Sequence, residues 1–141
     1  MFSKRIDKKQ IELSHEFAPK FNEQGLIPCI TVDAESGEVL MFAWMDKRAL
    51  KLTIDTKKAT YYSRSRDKIW VKGESSGRQQ TVKKILVDCD QDVVQIQVTM
   101  SHEGACHKGF RSCFYRSVDD DDNDTLVYEI NDRSFDPNDV Y

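Results

Sequence analysis

Two apolar runs, Ile27-Pro28-Cys29-Ile30-Thr31-Val32 and Val39-Leu40-Met41-Phe42-Ala43-Trp44, flank the polar stretch from Asp33 to Gly37. Such runs around a Ser-Gly turn predict a β-hairpin. Asp46 is a good N-cap for a helix running to about Lys57, with Ala49, Leu50, Thr53 and Ile54 facing inward. Thr60-Tyr61-Tyr62-Ser63 and Ile69-Trp70-Val71 read as short strands, followed by a Gly-Ser loop from Gly73 to Gly77 and a strand over Thr81 to Asp88. Val94, Ile96, Val98 and Met100 alternate with Gln95, Gln97 and Thr99, the period of a strand with one wet face. Ahead of the hairpin, Ile6, Ile11, Leu13 and Phe17 punctuate a charged segment and predict an amphipathic N-terminal helix. The pattern predicts a compact single domain, strand-rich with one main helix, α+β or mainly β.

Composition narrows the class. A chain of 141 residues suits one domain, and 39% hydrophobic with 32% charged residues is ordinary for a globular protein. No apolar run approaches the ~18 residues of a membrane span, and Met1 to Gln10 has no signal-like apolar core. A cytoplasmic location is expected, so Cys29, Cys89, Cys106 and Cys113 are read as thiols. The net charge of -3 hides an asymmetry. Lys57 to Lys84 holds nine Lys/Arg against Asp67 and Glu74, whereas Asp119 to Tyr141 holds nine acids against Arg133. A basic middle in an acidic protein points to a local anionic ligand rather than to nucleic acid. The acidic end reads as a solvated or partly disordered tail.

Three stretches could carry chemistry. Asp88-Cys89-Asp90-Gln91-Asp92 lies between two strands and is most simply a polar turn. On extended backbone, however, Asp88 and Asp90 would share one face and Cys89 the other. Carboxylates suit a hard cation such as magnesium, and a thiolate suits a softer metal. An EF-hand does not fit, because Val93 and Thr99 stand where its glycine and glutamate belong. Cys106 and Cys113 are seven residues apart. On a straight helix they would be about 10 Å apart, too far to share one tetrahedral ion, so joint binding requires the segment to fold back. Gly104 and Gly109 permit that. The third stretch, Tyr62-Ser-Arg64-Ser-Arg66 with Trp70 to Gly77, offers bases, hydroxyls and a Gly-rich turn for phosphates, without a Walker loop. Blander readings stand beside these: Cys29 and Trp44 as core, His15 and His102 as surface residues, Trp70 as packing or as a purine platform.

Together the stretches resemble the phosphoribosyl-AMP cyclohydrolase family. The likeness is carried by Tyr62-Ser-Arg-Ser-Arg66, Trp70-x-Lys72-Gly-Glu74-x-Ser76-Gly77, Asp88-Cys-Asp-x-Asp92 and Ala105-Cys-His-x-Gly109-x-x-Ser-Cys-Phe-Tyr-Arg116. It covers roughly residues 25 to 117, leaving residues 1–24 as an N-terminal extension and 118–141 as an acidic C-terminal segment. One departure stands out: Glu103-Gly104-Ala105 precedes Cys106 where the family usually has Gly-Pro-Ala.

The resemblance implies zinc-dependent hydrolytic opening, between N1 and C6, of the adenine ring of N1-(5-phosphoribosyl)-AMP in histidine biosynthesis. It implies twisted antiparallel sheets in an intertwined homodimer with shared active sites. Zinc would be held by Cys106 and Cys113 with Cys89 of the partner subunit, and magnesium by Asp88, Asp90 and Asp92. His107, beside Cys106, is the candidate general acid or base. Arg64, Arg66, Lys72 and Arg116 would hold the phosphates, Trp70 would stack on the purine, Glu74 would orient water or ribose, and Ser76 belongs to the same binding motif. Two rivals remain: a closed structural zinc module with His107 as fourth ligand, and a magnesium phosphatase or nuclease using the aspartates alone.

Overall fold

In a computed structural model of the chain, residues 2–101, 105–106 and 108–139 are described here. Eight strands, two α-helices and one 3-10 turn follow in the order α1 (Lys8–Leu13), β1 (Leu26–Asp33), β2 (Val39–Asp46), α2 (Lys47–Thr56), β3 (Thr60–Ser63), β4 (Lys68–Val71), β5 (Gln80–Val87), β6 (Val94–Met100), β7 (Arg116–Val118), β8 (Leu126–Tyr128) and the 3-10 turn Pro137–Asp139. Six strands form a curled, half-barrel sheet in the order β4-β3-β2-β1-β6-β5, and β7 pairs with β8 separately. The result is a compact α+β domain with one main helix.

The expected antiparallel arrangement holds for most pairs and fails at the centre. β1 and β6 run parallel, Cys29 opposite Val94 and Asp33 opposite Val98. Parallel neighbours need a long crossover, here everything from β2 to β5, so the local hairpin patterns could not display this pairing. Central position explains the nearly continuous apolar run of β1: Leu26, Ile27, Cys29, Thr31 and Val32 are buried and Pro28 and Ile30 half-buried, with Val94, Ile96 and Val98 beside them.

Helix α2 closes one face of the sheet. The Asp46 carboxylate accepts from the Ala49 amide at 2.7 Å, capping the first turn, and Lys57 ends the helix in the left-handed region at φ 61°. Ala49, Leu50 and Thr53 face the core. Burying Leu50 fully stabilises the packing by about 2 kcal/mol. Thr53 Oγ1 donates to Ala49 O at 2.8 Å and accepts from the Thr60 amide at 3.0 Å, tying α2 to β3.

Both ends of the chain are more structured, or differently structured, than their composition indicates. The N-terminal helix is only the six residues of α1; Phe2, Phe17 and Phe21 pack against the core as a loop-borne cluster. At the other end, the Asp119–Asp122 run is solvated as expected, but it is the ordered turn of the β7–β8 hairpin rather than a tail. The Asp119 amide donates to Thr125 O at 2.9 Å, and the Asp119 and Asp122 carboxylates accept from nearby amides. Short acidic side chains are favoured there because they satisfy the turn's own donors.

Candidate active site

A cleft of about 570 Å³ opens between β2, β4, the Gly73–Ser76 loop and the Ala105–Cys113 segment. Of the residues singled out from the sequence, Arg66, Trp70, Lys72, Glu74, Ser76 and Cys113 line it. Met41, Phe42, Ala43, Lys68 and Ile69 line it too; their only sequence signal was membership of a strand.

The cleft is braced from beneath. The Tyr61 hydroxyl, wholly buried, meets Thr31 Oγ1 at 2.7 Å and donates to Gln80 Oε1 at 2.6 Å. Gln80 in turn reaches Met41 Sδ at 3.3 Å. Burial pushes the Tyr61 phenol well above its ordinary range, so it stays neutral. Trp70 leans on Tyr61 with ring centroids 5.0 Å apart, which fixes the platform while leaving Trp70 half-buried. Gly73 enters the loop at φ 86°, and a Cβ there would run into the backbone of Arg78 and Gln79.

Lys72 is the cation set deepest in the cleft wall, 8% exposed, donating from Nζ to Ala105 O at 2.8 Å. Burial lowers its pKa, while the sulfurs of Cys113 and Cys106 pull it back up. The bond joins the Gly73 loop to the cysteine-bearing segment. That segment folds back on itself as required: Gly109, at φ 96°, donates to Cys106 O at 2.9 Å, and Cys106 donates to Phe110 O at 3.1 Å. Cys113 donates to Leu40 O at 2.7 Å, which docks the segment on β2. Cys106 and Cys113 thereby become neighbours. Desolvation, then the charge and hydrogen bond of the Cys106 sulfur, push the Cys113 thiol up to about 12. The C-terminal hairpin clamps the outside, with Phe110 stacked on Tyr115 at 4.0 Å and Ser134 donating to Gly109 O at 2.6 Å.

Other candidates fall elsewhere. Arg64 lies over the Trp44 ring, 5.2 Å from its centroid, and Arg116 over Tyr115 at 5.1 Å; neither lines the cleft. His107 lies outside the described residues. Cys29 is core, its thiol pushed up to about 12 by burial, against the lowering effect of Thr31 and Ile96.

The carboxylates converge, though not by strand alternation. Residues 88–92 form a tight turn between β5 and β6. Asp88 Oδ1 accepts from the amides of Asp92 at 3.0 Å and Val93 at 3.1 Å, and Gln91 sits in the left-handed region at φ 58°. The turn gathers oxygens of Asp88, Asp90 and Asp92 to within 4.8 Å of one another. Burial tends to raise the Asp88 pKa, but hydrogen bonds with the Asp92 carboxyl and the Val93 and Asp92 amides leave it lowered. Asp92 bears the opposite shift: its bonds to Asp88 and Asp90 push it up to about 6. Three carboxylates that crowd one another in this way are a fitting donor set for a hard divalent cation, which would relieve their repulsion.

The expected zinc-dependent reaction does not stand. Among the described residues, Asp88, Asp90 and Asp92 are the only His, Cys, Asp or Glu side chains gathered as three or more potential ligands. Cys106 and Cys113 meet as a pair, and Cys89, expected to serve a partner subunit, is exposed on the β5–β6 turn of its own chain. The ligand set present is oxygen, suited to magnesium, and it argues against a thiolate-held zinc as the centre of the mechanism.

Residues 41–115, from within the second strand of the first hairpin to Tyr115, match the model of the phosphoribosyl-AMP cyclohydrolase family. The chain belongs to this family. It is 48% identical over 137 residues to the phosphoribosyl-AMP cyclohydrolase of Rhizobium rhizogenes, covering 96% of this chain and 92% of that protein. The cyclohydrolase of Prosthecochloris aestuarii is 51% identical over 123 residues, 86% of each chain. The protein is thus a hydrolase of the cyclohydrolase family, with a carboxylate cluster of the metal-binding kind. No helix among the described residues is long and apolar enough to cross a membrane.

Proposed function

We propose that the protein opens the adenine ring of N1-(5-phosphoribosyl)-AMP by hydrolysis, assisted by a hard divalent cation held by Asp88, Asp90 and Asp92. The observation that carries this reading is a carboxylate trio in a chain of this family. When bound, such a cation neutralises phosphate charge and polarises an oxygen. The chain's own groups do the rest. Lys72 and Arg66 attract the phosphates, the Trp70 ring offers a face to the purine, Ser76 donates a hydroxyl, and Glu74 orients water or ribose. Water oxygen bonds to C6 and the C6–N1 bond breaks with its electron pair going to N1; of the two protons of water one goes to N1 and the other to the exocyclic nitrogen, which becomes the NH2 of the carboxamide at C6. His107, adjacent to Cys106 in sequence, is the proton carrier in this scheme. Arg64 and Arg116 would join only by leaving the rings they now cover.

The reading extends to a homodimer with shared sites. Within one chain the carboxylates are not among the residues lining the cleft, so cleft and acidic turn come together most simply across two copies. β5 is an edge strand exposing Leu86 and Val87, and Phe42 and Phe114 are also exposed, surface that a second copy would cover. Residues 25–117 would be the catalytic unit. The four free thiols fit a reducing compartment, the cytoplasm.

The test is a direct assay of ring opening by enzyme stripped with chelator. Magnesium restores activity; recovery with zinc alone sinks the cation assignment. At substrate and Mg2+ concentrations too low for Asp88→Asn or Lys72→Met to turn over alone, mixing the two regenerates one intact site per mixed dimer. Mixed dimers that form yet stay inactive would end the shared-site reading.

A further inference from the structure

At the centre of the acidic turn stands a residue that is neither acidic nor exposed. Gln91 is 4% exposed, although Asp88, Cys89 and Asp90 around it are open to solvent. Its φ of 58° is a conformation that asparagine or glycine adopts more readily, so the glutamine side chain must offset that cost. It does so by bonding the segment before β1. Gln91 Oε1 accepts from the Ala18 amide at 2.8 Å. Gln91 Nε2 donates to Ile11 O at 2.8 Å and to Glu16 O at 3.2 Å. Its carbonyl accepts from the Lys20 amide at 2.7 Å, and its own amide donates to Asp88 O at 3.1 Å. Every polar atom of the residue is used.

A second tie runs alongside. Arg5 donates from Nη1 to Ala18 O at 2.6 Å and from Nη2 to Asp90 O at 2.9 Å. Residues between positions 5 and 20 thus grip the turn through the side chain of Gln91 and the carbonyls of Gln91 and Asp90. Asparagine, one methylene shorter, could not span Ile11 and Ala18 from the same Cα. A glutamate would set a carboxylate oxygen against two carbonyls.

We propose that Gln91, seconded by Arg5, is a positioning residue that locks the N-terminal segment to the acidic turn and so holds Asp88, Asp90 and Asp92 in a cation-ready arrangement. The inference rests on the hard-cation reading above. It gives the N-terminal segment a task the catalytic motifs do not reveal. Groups that orient metal ligands contribute about 10- to 100-fold to affinity when removed singly. Because coupling is reciprocal, a bound cation must also steady the segment that steadies its ligands.

The experiment compares wild type, Gln91→Gly, Arg5→Ala and Asp88→Asn. Manganese affinity is read from the paramagnetic resonance of free Mn2+, well below the urea unfolding transition of each variant. Gln91→Gly relieves the backbone and removes only the anchors; it should bind Mn2+ about tenfold more weakly. Arg5→Ala, a surface change that keeps the fold testable if Gln91→Gly fails to fold, should weaken binding several-fold. In wild type, Mg2+ should slow amide exchange at Ala18, and in Asp88→Asn it should not. Wild-type Mn2+ affinity in Gln91→Gly, or in Arg5→Ala should the glycine variant not fold, overturns the positioning role. Equal affinity in wild type and Asp88→Asn overturns the cation reading itself, and the positioning role with it.

Discussion

Replacing Asp88 by asparagine separates the folding role of the acidic turn from its charge. The Asn Oδ1 can still accept from the Asp92 and Val93 amides, at 3.0 and 3.1 Å in the native turn, so the turn should keep its shape. What disappears is one charge from a trio whose ligand oxygens lie within 4.8 Å of each other. Two unit charges at that distance repel by about 0.9 kcal/mol in water. Asp88 takes part in two such pairs, and both are exposed and salt-screened, so the realistic relief is about 1 kcal/mol at low ionic strength. At pH 8, above the value of about 6 to which Asp92 is raised, the cation-free variant should therefore resist urea slightly better than wild type. Its cation site should be worse. A carboxylate about 4 Å from a divalent ion contributes at least about 2 kcal/mol in water, or a roughly thirtyfold loss of Mg2+ affinity. Titration calorimetry and urea unfolding in chelator read the two effects independently. A variant that binds Mg2+ like wild type, or one that is less stable without cation, refutes the reasoning.

Three further outcomes follow from particular contacts. Lys72→Met keeps the buried stem but removes the ammonium bonded to Ala105 O; KM for phosphoribosyl-AMP should rise more than tenfold in steady-state assays, since a charge-assisted contact is lost. Gly73→Ala places a Cβ against the Arg78–Gln79 backbone at a φ of 86°; calorimetry should show a loss of about 2 kcal/mol, accompanied by a wider cleft and weaker nucleotide binding. Cys29, pushed up to about 12 by burial, stays protonated in the fold while the unfolded chain ionises near the ordinary thiol value of 9.0. Its contribution to stability is full below pH 9 and is lost as pH climbs toward 12. Cys29→Ala should flatten the fall of the urea midpoint between pH 9 and 11.

The fold was legible wherever its cause was local. The Asp46 cap, the inward face of α2 and the β1–β2 hairpin are written in neighbouring residues, and all three appear in the structure. The β1–β6 parallel pairing is not, because strands 60 residues apart leave no turn between them to read. The acidic run misled for a related reason. Five aspartates between positions 119 and 124 look like a solvated tail by composition, yet two of them cap the turn of a hairpin whose aromatic Tyr128 closes on Phe110 and Tyr115. Composition counts charges; it does not show which amides they satisfy.

The candidate site divides along the same line. Arg66, Trp70, Lys72, Glu74 and Ser76 stand close in sequence on β4 and the loop after it, and they share a cleft. The cysteines needed a folded-back loop and, for Cys89, a second subunit; within the chain Cys106 and Cys113 meet, but among the described residues only the aspartates gather as three or more possible ligands. The aspartates converge by a route that strand alternation did not foresee. Alternation would put Asp88, Asp90 and Asp92 on one face of extended backbone, with successive same-face side chains roughly 7 Å apart. The turn instead draws their oxygens within 4.8 Å, and the residue that makes it turn is the one amide in the motif. Nothing adjacent in sequence marks Gln91 as structural, because its partners Ile11, Glu16 and Ala18 lie more than 70 residues away. A motif read for its charges alone therefore hides its hinge: the acids supply the ligand atoms, and the neutral residue among them decides whether those atoms can meet.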